Sequence, residues 1–179
     1  MTKKELAENY FREGANCAQS VLRAFAPECG LSDEEAMRLA SGFGGGVGRL
    51  REICGAVSGM TLVVNILFGN TDPADKAAKD AHYALVRKLA EEFRARTGSI
   101  ICRELLGEER AGADSPVSEK RTAAYYRERP CPGLVAAAAE ILEKELVERG
   151  VTPEAPRRRC GPWRRRSPAR GRPGGGYWP

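Results

Sequence analysis

The chain has 179 residues, enough for one domain with a sizeable core, and 42% of them are hydrophobic, as in soluble globular proteins rather than disordered or fibrous ones. Its net charge of +5 is unevenly distributed, because residues 152–179 carry eight arginines and one acid. Residues 1–151 therefore hold 21 basic and 23 acidic side chains, so the overall basicity says little about this near-neutral part.

Helix signals dominate residues 1–151, and strand signals are scarce. Thr2 followed by Glu5, and Ser32 followed by Glu35, have the spacing of a capping box, in which side chains satisfy backbone N–H groups of the first turn. The stretch 41–48 is too rich in glycine for an ordinary helix. In chain order, helices are predicted over about residues 3–12, 16–25, 33–41, 49–68, 72–97, 100–106, 118–128 and 132–149.

Two of the later helices have the periodicity of helices packed on one face. Apolar positions recur at steps of three and four residues at Ala78, His82, Leu85, Leu89 and Phe93, and again at Val135, Ala138, Leu142 and Leu146. Outward ion pairs are expected on the last helix, at Glu140–Lys144 and Glu145–Arg149.

These elements predict an all-α fold, a helical bundle of about six to eight helices, in a single domain over residues 1–151. The segment 152–179 contains six prolines, five glycines and eight arginines, a composition that buries too little surface to offset the entropy of ordering. We expect a disordered basic tail there. The near-neutral domain argues against nucleic-acid binding outside this tail.

The chain start and its longest uncharged run argue against secretion and membrane insertion. Residues 1–8 include acids and lack the apolar segment of a secretory signal. The run 53–68 has 16 residues, fewer than the about 20 that a membrane span needs. We therefore expect no membrane span and a cytoplasmic location, where cellular reductants keep ordinary thiols reduced.

Four cysteines are the most chemically competent set in the chain: Cys17, Cys54, Cys102 and Cys131. Their separations are long and no Cys-x-x-Cys pair exists, which argues against a thioredoxin-type motif and against a zinc ribbon. A site that uses all four must be assembled by tertiary packing, with one cysteine from each of four helices.

Local sequence distinguishes three of these cysteines. Cys131 stands between two prolines at the predicted N-cap of the last helix, and Cys17 lies in the first turn of another helix, so free N–H groups and the helix dipole favour their thiolate forms. Cys54 precedes Gly55 and Gly59, which share a helix face and allow another backbone to approach closely. Cys102 has no special local feature.

The stretch Cys54-Gly55-Ala56-x-x-Gly59, with one cysteine before it and two after, resembles the C_GCAxxG_C_C family of small proteins. That family is described as redox-active and has four characteristic cysteines. The resemblance covers about residues 5–147 and marks the four cysteines and the motif glycines. Cys29, Cys160 and the arginine-rich tail lie outside the pattern, so we assign them no part in the site.

Three functions fit these residues. The first is thiol–disulfide exchange or electron transfer by a thiol-based oxidoreductase, with Cys131 as the nucleophile, an unidentified second cysteine, and a redox partner protein, small thiol or electron carrier as partner. The second is a four-thiolate metal site formed by the same four residues for zinc or an iron–sulfur cluster. The third is a helical interaction module without chemistry. The single histidine, His82, is expected to be a packed residue rather than a ligand.

Overall fold

The structure, a computed structural model, describes residues 1–107 and 115–151. This part of the chain forms nine α-helices and no β-sheet, which confirms the predicted all-α class. The predicted disordered tail, 152–179, lies outside the described residues. The helices are α1 (Lys3–Arg12), α2 (Cys17–Ala24), α3 (Ala26–Cys29), α4 (Asp33–Leu39), α5 (Gly55–Phe68), α6 (Lys76–Thr97), α7 (Cys102–Leu106), α8 (Ala123–Glu128) and α9 (Cys131–Glu148), with a short 3-10 helix at Ser41–Phe43.

Side-chain caps fix several helix starts. Both predicted capping boxes are present, at Thr2 and Ser32. Asn16 and Gln19 form a third, in which each side chain accepts a hydrogen bond from the other residue's backbone N–H. This box fixes the start of α2 at Cys17, because Asn16 keeps an extended backbone and satisfies the first turn.

The core is built around α9, which packs against α1, α2, α5 and α6. Its predicted apolar stripe is confirmed: Val135, Ala138, Leu142 and Leu146 are at most 2% exposed. Helix α2 packs against both α1 and α5, and it lies so close to α5 at Gly59 that an added Cβ there would lie 2.8 Å from the Cβ of Val21. The glycine face therefore does admit a neighbouring helix, as predicted.

The start predicted for the buried helix is wrong. Helix α5 begins at Gly55 rather than near Arg49, because the chain before it winds in the left-handed sense. Backbone φ is positive at Gly45, Gly46, Val47, Gly48, Arg49 and Arg51. Glycine adopts this conformation freely, whereas other residues are strained by about 1–2 kcal/mol each.

Two details on other helices also differ from expectation. Helix α6 begins at Lys76 with Asp75 as its cap, because Asp72 instead accepts a hydrogen bond from Ala74 N–H (2.9 Å) in a preceding turn. Glu145 is not outward: it is 4% exposed, because α9 packs on α6 and brings Lys88 against it, in addition to the predicted partner Arg149.

The predicted packing of His82 is confirmed. The residue is 9% exposed, and its Nε2 lies 2.7 Å from Oδ1 of Asn65 on α5. Within the two described ranges, no helix combines the length and the apolarity needed to cross a membrane.

Candidate functional site

All four predicted cysteines stand at helix N-termini. Cys17, Cys102 and Cys131 are the first residues of α2, α7 and α9, and Cys54 is the N-cap of α5. The first-turn position of Cys17 is confirmed, whereas Cys131, predicted to be the N-cap, is the first residue of α9, and Pro130 is the N-cap. The backbone N–H groups of a first turn favour a negative charge nearby, so each sulfur lies where the backbone can stabilise a thiolate.

A short backbone bridge positions two of the cysteines. Ile53 and Ile101 form an isolated antiparallel bridge, in which Cys54 N–H donates to the Ile100 carbonyl (2.8 Å) and Cys102 N–H donates to the Glu52 carbonyl (2.6 Å). These bonds tie the start of α5 to the start of α7. Cys102, which has no distinctive local sequence, therefore owes its place to a partner about fifty residues earlier in the chain.

Two glycines make room for the cysteines. A Cβ at Gly55 would lie 2.9 Å from the Cβ of Cys17, and a Cβ at Gly46 would lie 2.7 Å from the Cβ of Cys102. Both distances are shorter than side chains tolerate. The glycine run before α5 and the motif glycine therefore let the first turns of three helices meet.

One cavity of about 390 Å³ is lined by all four cysteines. Four arginines and one carboxylate also line it: Arg49, Arg51, Arg121, Arg129 and Glu119. Aromatic and aliphatic side chains, among them Phe11 and Tyr125, complete its wall. The structure thus brings the four sequence-predicted site residues together and surrounds them with positive charge.

Cys17 and Cys131 line this cavity together, and each side chain changes the pKa of the other. The neighbouring Cys17 thiol and the positive charges of Arg129 and Arg121 lower the pKa of Cys131 to about 7. The Cys131 side chain and burial raise the pKa of Cys17 well above its ordinary value. Cys131 therefore loses its proton at a lower pH than Cys17 does.

The other two thiols are kept protonated. Burial raises the pKa of Cys54 to about 12, although backbone N–H groups of Ala56 and Val57 act in the opposite direction. Burial also raises the pKa of Cys102, against the opposing charge and hydrogen bond of Arg51. Helix-start placement alone therefore does not produce a thiolate in this cavity.

Three of the arginines converge on Glu119. Arg129 binds both carboxylate oxygens (2.6 and 2.7 Å), while Arg49 lies 3.3 Å and Arg51 3.7 Å away. Arg49 also donates from Nε to the Ser115 carbonyl (2.8 Å). These contacts fasten the segment after residue 115 to the left-handed loop beneath it.

Arg121 is held mainly by aromatic rings. Its guanidinium carbon lies 4.7 Å from the ring centres of Phe11 and Tyr125 and 5.9 Å from that of Tyr126. Such cation–π contacts orient the guanidinium without neutralising its charge.

Residues 15–145, nearly three quarters of the chain, match the C_GCAxxG_C_C family, which is described as "Putative redox-active protein". The chain belongs to this family. The matched segment contains Cys17, Cys54, Cys102 and Cys131, in keeping with the resemblance inferred from the sequence. No curated protein and no solved structure matches the chain.

The other two cysteines stand apart from the family's set. Cys29 ends α3, is partly buried and does not line the cavity. Cys160 lies outside both the matched segment and the described residues. The expectation that these two take no part in the site remains a prediction.

A thiol-only donor set has suitable chemistry for zinc or an iron–sulfur cluster. Across residues 1–107 and 115–151, however, no three His, Cys, Asp or Glu side chains are arranged so that they could hold a metal ion. The four sulfurs share a cavity and electrostatic interactions, yet in this arrangement they do not fit a metal centre.

The arginines and Glu119 were missed by the sequence analysis. Arg49 and Arg51 follow the glycine run directly, which is the one sequence signal that could have linked them to Cys54. No comparable signal marks Glu119, Arg121 or Arg129, because they lie in the coil before α8 and directly after its end, and tertiary contacts bring them to the cavity.

Proposed function

We propose that this redox-family protein catalyses thiol–disulfide exchange, with Cys131 as the nucleophile and Cys17 as the resolving cysteine. The observation that carries the proposal is that Cys17 and Cys131 line one cavity with four arginines and interact electrostatically there. An attacking thiol works best when its pKa is near ambient pH, and the pKa of Cys131 is about 7.

The exchange proceeds in two steps, attack on the substrate disulfide and resolution of the mixed disulfide. The Cys131 thiolate attacks one sulfur of a substrate disulfide, forming a mixed disulfide and releasing the first substrate thiolate. Cys17, after losing its proton to the released thiolate, attacks the Cys131 sulfur and expels the second substrate thiolate. The substrate gains two electrons from the two cysteines and one proton from Cys17, the second released thiolate takes its proton from water, and the protein is left with a Cys17–Cys131 disulfide.

Burial and charge support this division of roles. The Arg129 and Arg121 charges and the N-terminus of α9 stabilise the attacking thiolate. Cys17 lines the same cavity as Cys131 and interacts with it electrostatically, so it is the thiol placed to attack a mixed disulfide at Cys131.

We extend the proposal to Cys54 and Cys102 as a second dithiol. Both line the same cavity, and both interact electrostatically with Cys131. Attack of one of them on the Cys17–Cys131 disulfide, followed by attack of the other, would return the first pair to its reduced form and leave a Cys54–Cys102 disulfide. An external cellular thiol would then reduce that disulfide.

Full-length protein purified without oxygen tests the proposal. Metal analysis and a visible spectrum come first, followed by a thiol count and disulfide mapping after incubation with a small disulfide. We expect no stoichiometric metal, the loss of two thiols in a Cys17–Cys131 disulfide, and then the loss of two more. Cys131→Ser should prevent the first disulfide, whereas the control Cys29→Ser should not.

The competing functions predict other results. Stoichiometric zinc or iron held by the four cysteines would overturn thiol exchange in favour of a metal site. Four unreactive thiols without metal would leave an interaction module.

A further inference from the structure

The cavity has an excess of positive charge. Four arginines and a single carboxylate, Glu119, line it, and even a Cys131 thiolate leaves two formal positive charges uncompensated among the described lining residues. Arg51 and Arg129 are largely buried, with side chains 11% and 8% exposed. Charges withdrawn from water are costly without counter-charges, so this wall favours an anion.

Arg121 is the arginine that Glu119 does not engage. Within residues 1–107 and 115–151, no carboxylate oxygen lies within 4.0 Å of its guanidinium nitrogens. Its Nη2 makes one long hydrogen bond to the Ala15 carbonyl (3.4 Å), and its buried Nη1 has no hydrogen-bond partner in the described chain. Burial of a charged donor without a partner is unfavourable, so a counter-charge in the cavity would stabilise Arg121.

Size and wall chemistry narrow the class of anion. The volume of about 390 Å³ lies within the range of roughly 300–1,000 Å³ typical of small-molecule sites. Part of the cavity wall is apolar and is lined by Phe11, Leu106, Leu134 and Tyr125. A simple inorganic ion has no apolar group that could pack against this wall. An organic molecule with a carbon chain and an anionic end fits both features.

We propose that the substrate is a small organic disulfide bearing carboxylates, whose carboxylate binds the Arg121 guanidinium while its disulfide faces Cys131. This inference rests on the proposed thiol exchange and names its substrate class. A carboxylate in the cavity would offset the charge of Arg121, which lines it, and Arg129 already acts on the attacking sulfur. Reduction yields two carboxylate-bearing thiols and the Cys17–Cys131 disulfide.

Three disulfides that differ in charge test the class. Reduced full-length protein is mixed with dithiodipropionate (dianionic), hydroxyethyl disulfide (neutral) or cystamine (dicationic). Each rate constant is divided by that for free mercaptoethanol thiolate, which removes intrinsic reactivity. We expect the dianion to react about tenfold faster than the neutral disulfide, the dication to react slowest, and added salt to reduce the difference.

Arginine variants test the anchor. In Arg121→Gln the ratio of the dianionic to the neutral rate should fall to near one, and in Arg121→Lys it should fall partway. The ratio is insensitive to a general loss of thiol reactivity. Arg87→Gln is the matched control, because Arg87 pairs with Glu91 on α6 outside the cavity lining, and it should keep the wild-type ratio.

The outcomes separate this inference from the proposed function. Equal normalised rates in the wild type, or an anionic preference that survives in Arg121→Gln, would overturn the substrate class or its anchor while thiol exchange stands. Failure of all three disulfides to form a Cys17–Cys131 bond would overturn both.

Discussion

The two halves of the cysteine set share a cavity and a helix-start position, yet they differ in chemical state. Cys131 has arginines and the Cys17 thiol beside its sulfur, and its pKa falls to about 7. Cys54 also has first-turn N–H groups, but burial dominates and its pKa rises to about 12. Helix termini alone therefore do not decide which thiol ionises: the Cys17 thiol and two arginines outweigh burial at Cys131, whereas burial outweighs the Arg51 charge at Cys102.

Serine substitutions at Cys131 and Cys54 should distinguish the two cysteine pairs most clearly. Cys131→Ser should reduce disulfide-reducing activity to that of the buffer alone, because the pKa values of the other three cavity thiols, Cys17, Cys54 and Cys102, are raised. Cys54→Ser should retain the first turnover, which a single-turnover assay measures. If the two variants lost the first turnover equally, the division into an attacking and a reserve pair would be wrong.

A side chain at Gly46 should disturb the second pair. Gly46→Ala is expected to destabilise the fold by about 2–4 kcal/mol, since its φ is +74° and the new Cβ would meet the Cβ of Cys102 at 2.7 Å. Gly133→Ala on α9 is the control, because its Cβ would meet nothing within 4 Å. Urea denaturation should show that Gly133→Ala is more stable than the wild type by about 0.5–1 kcal/mol.

Alkaline pH should reveal the buried state of Cys54. A raised pKa in the folded protein means that its stabilising contribution is present below the unfolded pKa and is lost as pH rises toward about 12. Cys54→Ala should therefore reduce the loss of unfolding free energy above pH 9 by about 1.4 kcal/mol per pH unit. The unfolding free energy is measured by urea denaturation at several pH values from 8 to 11. If it changed with pH equally in Cys54→Ala and in the wild type, burial would not raise the pKa of Cys54.

Removing Arg129 should make the pKa of Cys131 more like the raised pKa values of Cys54 and Cys102. Arg129→Gln is expected to raise the pKa of Cys131 toward its ordinary value, because it removes both a charge and a hydrogen bond. The pH dependence of alkylation measures this shift. Arg127→Gln, an exposed neighbour outside the cavity lining, serves as control and should leave the profile unchanged.

The sequence was sufficient for features that depend on near neighbours. The capping residues Thr2 and Ser32 and the helix starts at Cys17 and near Cys131 follow from local patterns. The placement of Cys102 does not, since it depends on backbone bonds to residues 51 and 52.

The left-handed loop and the arginines could not be predicted for a related reason. Arg49 and Arg51 adopt positive φ against their own preference, and their contacts with the distant Glu119 hold them there. Arg121 reaches the cavity from a segment about a hundred residues beyond Phe11, whose ring it contacts. Local sequence patterns do not predict contacts between residues so far apart in the chain.

Site-resolved alkylation across pH tests the central claim most directly. Native protein is pulsed briefly with iodoacetamide at pH 5 to 10, and the labelled fraction of each cysteine is measured by mass spectrometry. Because the thiolate is the reactive form, Cys131 labelling should rise with a midpoint near pH 7, while Cys17, Cys54 and Cys102 remain unlabelled until much higher pH. A common midpoint for all four cysteines, or earlier labelling of Cys54 than of Cys131, would contradict the account.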